Sequence, residues 1–421
     1  MKNALLVLAA TLTITAGYAQ KKNIQSARNS LKYKEYSEAI KYIDMATSDP
    51  STKDDPKAWV VRGTIYLSMD QDPGYADKGH YKDAIASYMK VIELDPKHEA
   101  EAVNSGLIYS AYKSYNSAVV SYNAKKWDEA YESAKLTVDI HDLDGGKRFK
   151  NPGFDTVAAG ALVIQAYSAF YDSKPDKALP ALEALKNNPI EGNNANTYLI
   201  IADVYQKKGN QAKELATIEE AKAKFPNNPN VRNEELNFYI RTKQQDKLIK
   251  KLEDAVSAEP GNAVYQYNLA NAYTNMAFPK KSDGKADTPP PNYTELIAKA
   301  EKGFEQAIAL DPENVGYHYD MGVLFFNQAS QVTEQMNEVT GTSAEDDKKY
   351  NELKKIREGL FTKAFPHLEK VYTTYEPKLN SLDEDNKFIY KSSIAAMREI
   401  YARQNKLDKA AELKKKFDAV K

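Results

Sequence analysis

Apolar and polar positions alternate along the chain with the period of an α-helix. In HYKDAIASYMKVIELDP, residues 80–96, the apolar residues Ala84, Tyr88 and Val91 fall three or four positions apart, and the stretch closes on Pro96. Residues at this spacing share one face of a helix. A proline then ends the helix, because it has no backbone N–H to donate. The pattern therefore predicts an amphipathic helix with one buried face.

The same helix pattern recurs further along the chain. LIAKAEKGFEQAIALDP, residues 296–312, has Ala300, Phe304 and Pro312 at the same offsets, and a weaker third copy ends at Pro260. An amphipathic helix cannot bury its apolar stripe alone, so each copy needs a partner helix before it. The repeats predict an all-α array of helical pairs.

The first partner helix carries a second pattern, WVVRGTIY, which contains Trp59, Gly63 and Tyr66. Together the two helices resemble the tetratricopeptide repeat, a helix-turn-helix of about 34 residues with the pattern W-x2-L-G-x2-Y, then A-x3-F, then P. Arg62 replaces the leucine of that pattern. The resemblance implies an all-α superhelical solenoid of about nine helix-turn-helix repeats.

The template divides nearly the whole chain into repeat units. The predicted units lie roughly at 24–50, 56–97, 99–141, 154–187, 194–227, 229–261, 262–313, 314–377 and 386–418. DLDGGKRFKNPG interrupts the periodicity, which predicts a linker at 142–153 between N-terminal repeats in 20–141 and C-terminal repeats in 154–421.

Three insertions separate the first and second helices of a repeat, at 68–79, 277–294 and 329–350. The insertion at 277–294 is rich in proline, glycine and lysine, which predicts an irregular loop. The insertion at 329–350 has good helix formers on both sides of a central glycine, which predicts two lengthened helices in a projecting hairpin.

The N-terminus has the layout of a secretory signal peptide. Lys2 precedes an apolar run from Ala4 to Ile14, and Ala19 follows as a small residue at the preferred cleavage site. The run is too short to span a bilayer, and no later segment is long and apolar enough, so we expect no transmembrane segment in the mature chain. We therefore expect a signal peptide at 1–19 and a periplasmic protein, with secretion as the other destination.

Composition and motif searches argue against catalytic, metal and nucleic-acid functions. The 58 basic and 59 acidic residues nearly cancel, so no nucleic-acid partner is indicated. The chain has no cysteine, which excludes disulfides, thiolate chemistry and a lipid anchor on cysteine. The five histidines lack metal-ligand spacing, and neither a phosphate-binding loop nor a serine-nucleophile motif occurs. We expect no enzyme activity, no cofactor and no metal.

The resemblance implies a concave groove lined by the first helix of each repeat. Residues four apart on three such helices form polar stripes. The predicted groove residues are Asn233, Asn237, Arg241, Tyr267, Asn271, Asn275, Tyr319 and Asn327. Asparagine can pair with both the N–H and the C=O of an extended peptide, and tyrosine adds flat contact area. We therefore predict a protein or extended peptide as partner, against the alternative that these are merely exposed polar helix positions.

A second hypothesis is a glycan-binding envelope protein, similar to the outer-membrane sugar-capture proteins that also contain such repeats. Those proteins carry a lipidated cysteine and a large lobe outside the repeats, and this sequence shows neither. The sequence carries no signal of oligomeric state.

Overall fold

The computed structural model describes residues 22–76, 78–280 and 287–420. The predicted signal peptide at 1–19 lies outside the described residues. The helices are α1 (22–32), α2 (Tyr36–Ser48), α3 (Pro56–Gln71), α4 (Tyr81–Leu94), α5 (Ala100–Asn123), α6 (Trp127–His141), α7 (Leu143–Gly146), α8 (Pro152–Tyr171), α9 (Pro175–Lys186), α10 (Ala195–Lys207), α11 (Gln211–Lys224), α12 (Pro229–Arg241), α13 (Gln245–Ala258), α14 (Ala263–Ala277), α15 (Tyr293–Leu310), α16 (Val315–Asn337), α17 (Ala344–Tyr375), α18 (Glu384–Arg403) and α19 (Leu407–Ala419).

Consecutive helices pair into nine hairpins within these described ranges. The pairs are α1 and α2, α3 and α4, α5 and α6, α8 and α9, α10 and α11, α12 and α13, α14 and α15, α16 and α17, and α18 and α19. Each hairpin coincides with one predicted repeat unit to within a few residues. The predicted all-α class, built from helix-turn-helix repeats, is confirmed.

The chain forms two compact units, which we call the first unit, ending at Val231, and the second unit, beginning at Arg232. Helix α6 packs on α8 across the predicted linker at 142–153, so the first unit continues through this segment. Arg148 holds the segment in place, because its Nε donates to Asn104 Oδ1 at 2.7 Å and its Nη1 to Asp144 Oδ2 at 3.1 Å. The predicted separation of the repeats at this linker stays a prediction.

Six hairpins share one short turn that places a residue in the left-handed conformation. These residues are Lys34, Lys125, Ser173, Gly209, Lys243 and Asn405, with φ between 56° and 69°. Main-chain bonds close each turn; at Lys125, for example, the N–H of the next residue, Lys126, donates to Ser121 O at 2.9 Å. This is the Schellman pattern of helix termination. The three hairpins with predicted insertions have longer connections instead.

Small residues let helices approach closely at the positions that the repeat pattern predicts. The ring of Tyr88 lies between Gly63 of α3 and Gly106 of α5, and a Cβ on either glycine would meet that ring at 2.6 or 2.4 Å. In the second unit, a Cβ on Gly322 of α16 would lie 2.8 Å from Leu368 of α17. Close packing of this kind leaves no room for a side chain.

The first helices of successive hairpins are neighbours in the second unit. Helix α14 contacts α16, and α16 contacts α18. The lengthened helices predicted around 329–350 are present as α16 and α17, and Ser343 and Asp346 cap α17 reciprocally. Across the described ranges, no helix is both long and apolar enough to cross a membrane.

Candidate functional site

The predicted groove residues all lie on three first helices of the second unit. Helix α12 carries Asn233, Asn237 and Arg241; α14 carries Tyr267, Asn271 and Asn275; α16 carries Tyr319 and Asn327. We use the name first-helix surface for the faces of α12, α14 and α16 that carry these eight residues, together with the adjoining face of α18.

A carboxylate that the sequence analysis did not include connects two of these residues. Asp320 of α16 accepts a hydrogen bond at Oδ2 from the Tyr267 hydroxyl at 2.5 Å and from Asn271 Nδ2 at 3.3 Å. The ring of Tyr267 also packs on Tyr317, with centroids 4.6 Å apart. The structure therefore joins Tyr267 and Asn271 through Asp320, between α14 and α16.

The environment of Asp320 disfavours its charge. Burial raises the pKa of its carboxyl group, and the hydrogen bonds from Tyr267 and Asn271 oppose that shift without cancelling it. Burial and the neighbouring Asp320 raise the pKa of the Tyr267 phenol, so that phenol remains a donor. Within the described ranges, no lysine or arginine pairs with Asp320, and its Oδ1 has no hydrogen-bond partner. Asp320 is half-buried, and Oδ1 is not among the buried side-chain atoms that lack a hydrogen-bond partner, so this oxygen is accessible to a donor.

Three other predicted residues already interact within the second unit. Asn233 Oδ1 accepts a hydrogen bond from the buried Tyr265 at 3.0 Å. Arg241 lies 3.8 Å from the Glu234 carboxylate. Burial raises the pKa of the Tyr319 phenol, with a smaller opposing hydrogen bond to Ser392 of α18. These three side chains therefore already take part in contacts within the second unit.

The remaining predicted residues are available to a ligand. Asn237 and Asn275 are exposed, and neither forms a hydrogen bond to another residue that the structure describes. Asn327 lines a cleft of about 390 Å³, together with Phe278 and Pro279 from the predicted loop at 277–294. Free amides thus occur on α12, α14 and α16.

Exposed apolar side chains share helix faces with these polar residues, and sequence reasoning missed them. Ile240 of α12 is 50% exposed, Val264 of α14 is 53% exposed and Phe388 of α18 is 65% exposed. Helical spacing places Val264 on the face of Asn271, and Phe388 on the face of Ser392. The signal that could have found them is an apolar residue outside the buried stripe of its own helix.

The sequence profile of the tetratricopeptide repeat family matches residues 165–229. No curated protein matches the chain. Among solved structures, MamA from Desulfovibrio magneticus RS-1 is similar, with 17% identity, 48% of this chain and 96% of that chain covered, and a TM-score of 0.31.

Two further similar structures differ in how much of each chain is covered. YrrB, described as a tetratricopeptide-repeat protein with an unusual peptide-binding site, shows 15% identity, covers 53% of this chain and 92% of that chain, and has a TM-score of 0.31. Cut9–Hcn1 of the APC/C shows 14% identity, with 85% of this chain and 59% of that chain covered and a TM-score of 0.32.

The matched segment runs from the second half of α8 to the start of α12, and so contains the whole hairpin of α10 and α11. That hairpin has the same short turn as five others in the described chain. The closely packed Gly63 and Gly322 occupy the small-residue position of the repeat pattern in two further hairpins. Residues 165–229 therefore match the tetratricopeptide repeat, and the hairpins outside this segment share its helix-turn-helix form.

Proposed function

We propose that this protein is a non-enzymatic scaffold that binds an extended segment of a partner protein along the first-helix surface. The observation that carries this proposal is the pairing of free amides with exposed apolar side chains on the same helices. Asn237 lies three residues before Ile240 on α12, and Asn275 lies eleven residues after Val264 on α14. Both spacings place the two side chains near one helix face.

The two kinds of side chain suit two features of an extended chain. An extended backbone presents N–H and C=O groups in alternation, and an asparagine amide can donate to one and accept from the other. Side chains between those groups can cover Ile240, Val264 and Phe388, and burial of apolar surface contributes roughly 25 cal/mol per Å². The amides would then position the backbone, and the apolar residues would supply contact area.

The proposal includes export to the periplasm. Its support is the sequence pattern at 1–19, in which a lysine precedes a short apolar run and a small residue at the cleavage site. Cell fractionation and mass spectrometry of the N-terminus test it. A product in the envelope fraction that begins near Gln20 is expected, and a cytoplasmic product that begins at Met1 would exclude export.

The groove is tested with peptides selected from a random displayed library on the full chain. The affinity of a selected peptide is then measured by fluorescence anisotropy for the wild type and for the double variant Asn237→Ala with Asn275→Ala. Each lost hydrogen bond should weaken binding by about 0.5–1.5 kcal/mol, so the double variant should bind roughly ten- to a hundredfold more weakly.

The matched control is Gln306→Ala, an exposed amide on the second helix α15. Because exposed polar positions tolerate alanine to within about 0.5 kcal/mol, both proteins should keep the wild-type melting temperature. Equal affinity of the folded double variant and the control would place the interface elsewhere.

A further inference from the structure

A buried carboxylate in the first unit shows what Asp320 lacks. Asp70 of α3 has a side chain only 2% exposed, and Lys113 Nζ of α5 lies 3.4 Å from its Oδ2. The Tyr109 hydroxyl donates to the same oxygen at 3.4 Å. Burial opposes the charge of Lys113, but Asp70 and Tyr109 outweigh burial and raise the pKa of this lysine. The first unit thus neutralises the buried Asp70 with a cation of its own.

The second unit has a similar set of donors around its aspartate, although Asp320 lies on a helix after its donors and the aspartate of the first unit on a helix before them. Tyr109 and Lys113 are four residues apart on α5, as Tyr267 and Asn271 are on α14. In both units the tyrosine hydroxyl and the side chain one turn later reach Oδ2 of an aspartate on a neighbouring first helix. In the second unit the lysine position is an asparagine. Asp320 therefore receives two neutral donors and no cation from the residues that the structure describes.

We infer that the partner segment carries a lysine or arginine whose cation pairs with Asp320. This inference rests on the proposed binding of an extended segment at the first-helix surface. Asp320 offers one open oxygen on that surface. A cation bound to this oxygen would pair with Asp320 as Lys113 pairs with Asp70 in the first unit. A charged donor to a carboxylate forms a stronger hydrogen bond than a neutral one.

Charge complementarity selects a basic side chain over the other ligands that a carboxylate can take. An acidic side chain would place a second negative charge beside a carboxylate that already resists ionisation. A calcium ion needs six to eight oxygen ligands, and no group of three or more potential metal-binding side chains occurs among the described residues. Phe388 of α18 lies one helical turn before Ser392, which bonds to Tyr319. Tyr319 is next to Asp320 in the chain, and the exposed ring of Phe388 offers an apolar surface for the stem of a long basic side chain.

The first test uses the peptides selected on the full wild-type chain. The selected pool should be enriched in peptides with a lysine or arginine at one fixed position. Replacement of that residue by alanine should weaken binding by about tenfold or more, and Asp320→Asn in the protein should weaken the basic peptide equally. The peptide with this alanine should bind the wild-type protein and the Asp320→Asn variant with equal affinity. Either change alone already removes the ion pair, so the second change has nothing further to remove.

The second variant, Asn271→Lys, gives Asp320 an internal cation in the manner of Lys113. It should fold at least as stably as the wild type and bind the basic peptide about tenfold or more weakly. The matched control is Glu305→Gln, which removes an exposed carboxylate on α15 and should change affinity by less than about twofold.

The outcomes separate this inference from the proposed function. Selected peptides without a basic residue, or a basic peptide that binds Asp320→Asn as tightly as the wild type, would overturn the pairing with Asp320. In either case a loss of affinity in Asn237→Ala with Asn275→Ala would still support the groove. If none of these variants changed peptide affinity, both the inference and the proposed function would be wrong.

Discussion

Two ionisable groups of the first unit, Asp70 and His141, have charged side chains beside them. Asp70 has Lys113 beside it at 3.4 Å. His141 lies between two carboxylates, with Nδ1 2.9 Å from Asp142 Oδ1 and Nε2 3.2 Å from Asp155 Oδ1. Asp70 thus lies beside a cation, and His141 lies between two carboxylates.

In the second unit, Glu235 has Lys251 beside it at 2.8 Å. Two other groups there, Asp320 and His367, have neutral neighbours instead. Asp320 has only the Tyr267 hydroxyl and the Asn271 amide as donors. His367 of α17 faces His318 of α16, with the two Nδ1 atoms 3.1 Å apart. Burial, and then the neighbouring His318, lower the pKa of His367 to about 4. The second unit therefore holds both groups in environments that favour the neutral form.

The histidine pair also has a defined arrangement of protons. His318 Nε2 lies 2.9 Å from Pro312 O, and a carbonyl can only accept, so this nitrogen carries a proton. In the neutral ring, His318 Nδ1 is then an acceptor, and His367 Nδ1 donates to it. Protonation of both rings would place two donors against each other.

The difference shows that a buried ionisable group has different effects when it has a partner of opposite charge and when it has none. A paired charge stabilises one arrangement of helices over a wide pH range. A buried ionisable group without such a partner makes the free energy of unfolding depend on pH. It also leaves a position beside it that a ligand of opposite charge can occupy.

The largest effect is expected from Lys113→Met, which leaves Asp70 buried without its cation. Removal of one partner of a buried ion pair destabilises by about 3–5 kcal/mol, and the partial exposure of Lys113 favours the lower figure. Both tryptophans of the chain, Trp59 and Trp127, lie in the first unit, so urea unfolding followed by tryptophan fluorescence reports this loss. Lys113→Arg keeps the charge and should retain most of the stability. A wild-type midpoint in Lys113→Met would show that Asp70 does not depend on this lysine.

Tyr267→Phe should have the next largest effect, because it removes the closer donor from Asp320. Loss of a hydrogen bond to a partly buried carboxylate should reduce stability by about 1–3 kcal/mol. Far-UV circular dichroism reports helices of both units, whereas tryptophan fluorescence reports the first unit alone. The dichroism transition should shift and the fluorescence transition should not. Tyr350→Phe, at an exposed position on α17, is the control, and an equal shift in it would contradict a specific role for Tyr267.

The histidine pair should make the second unit sensitive to acid. The unfolded chain binds a proton at His367 near its ordinary pKa of about 6.5, but the folded chain binds it only near pH 4, so stability falls as pH falls between these values. We expect a loss on the order of 1 kcal/mol, seen as a lower dichroism midpoint at pH 5 than at pH 7. His367→Gln should flatten this dependence, whereas His141→Gln should retain it. An unchanged slope in His367→Gln would assign the acid sensitivity to other groups.

Asp320→Asn should have the smallest effect and the opposite pH dependence. The folded pKa of Asp320 is raised, so the folded chain holds this proton more tightly, and wild-type stability declines as pH rises through the titration of Asp320. Asparagine does not titrate. The variant should therefore gain stability relative to the wild type between pH 4 and pH 7, within about 1 kcal/mol. If the difference in stability between the variant and the wild type were the same at every pH in this range, Asp320 would ionise as easily in the folded chain as in the unfolded one.

The hairpins could be predicted from the sequence because their signals are local. Apolar stripes, closing prolines and small residues such as Gly63 and Gly322 each act within one or two neighbouring helices. The predicted groove was less complete. The stripe through Tyr319 and Asn327 missed Asp320, one residue further along, because which of two adjacent positions meets α14 depends on how the helices cross.

Asn271 illustrates the same limit. The sequence places it on an exposed stripe of α14, and the structure shows its amide bonded to Asp320. Its replacement by alanine would therefore disturb the fold as well as a ligand, and Asn275 is the cleaner position for a binding test. A visible signal was Asp320 itself, which is the only acidic residue in the segment 315–333.

The hairpin turns are the positions at which this chain can accept insertions. Six of them close through main-chain hydrogen bonds, so their sequences are free to diverge as long as the left-handed residue is tolerated. Each doubling of a flexible connection adds only about 0.6 kcal/mol of closure entropy. Insertions such as the one between α14 and α15 can therefore accumulate while the packing of each hairpin is preserved. Here such an insertion supplies Phe278 and Pro279 to the cleft beside Asn327, so a longer turn changes the surface of a hairpin without changing its packing.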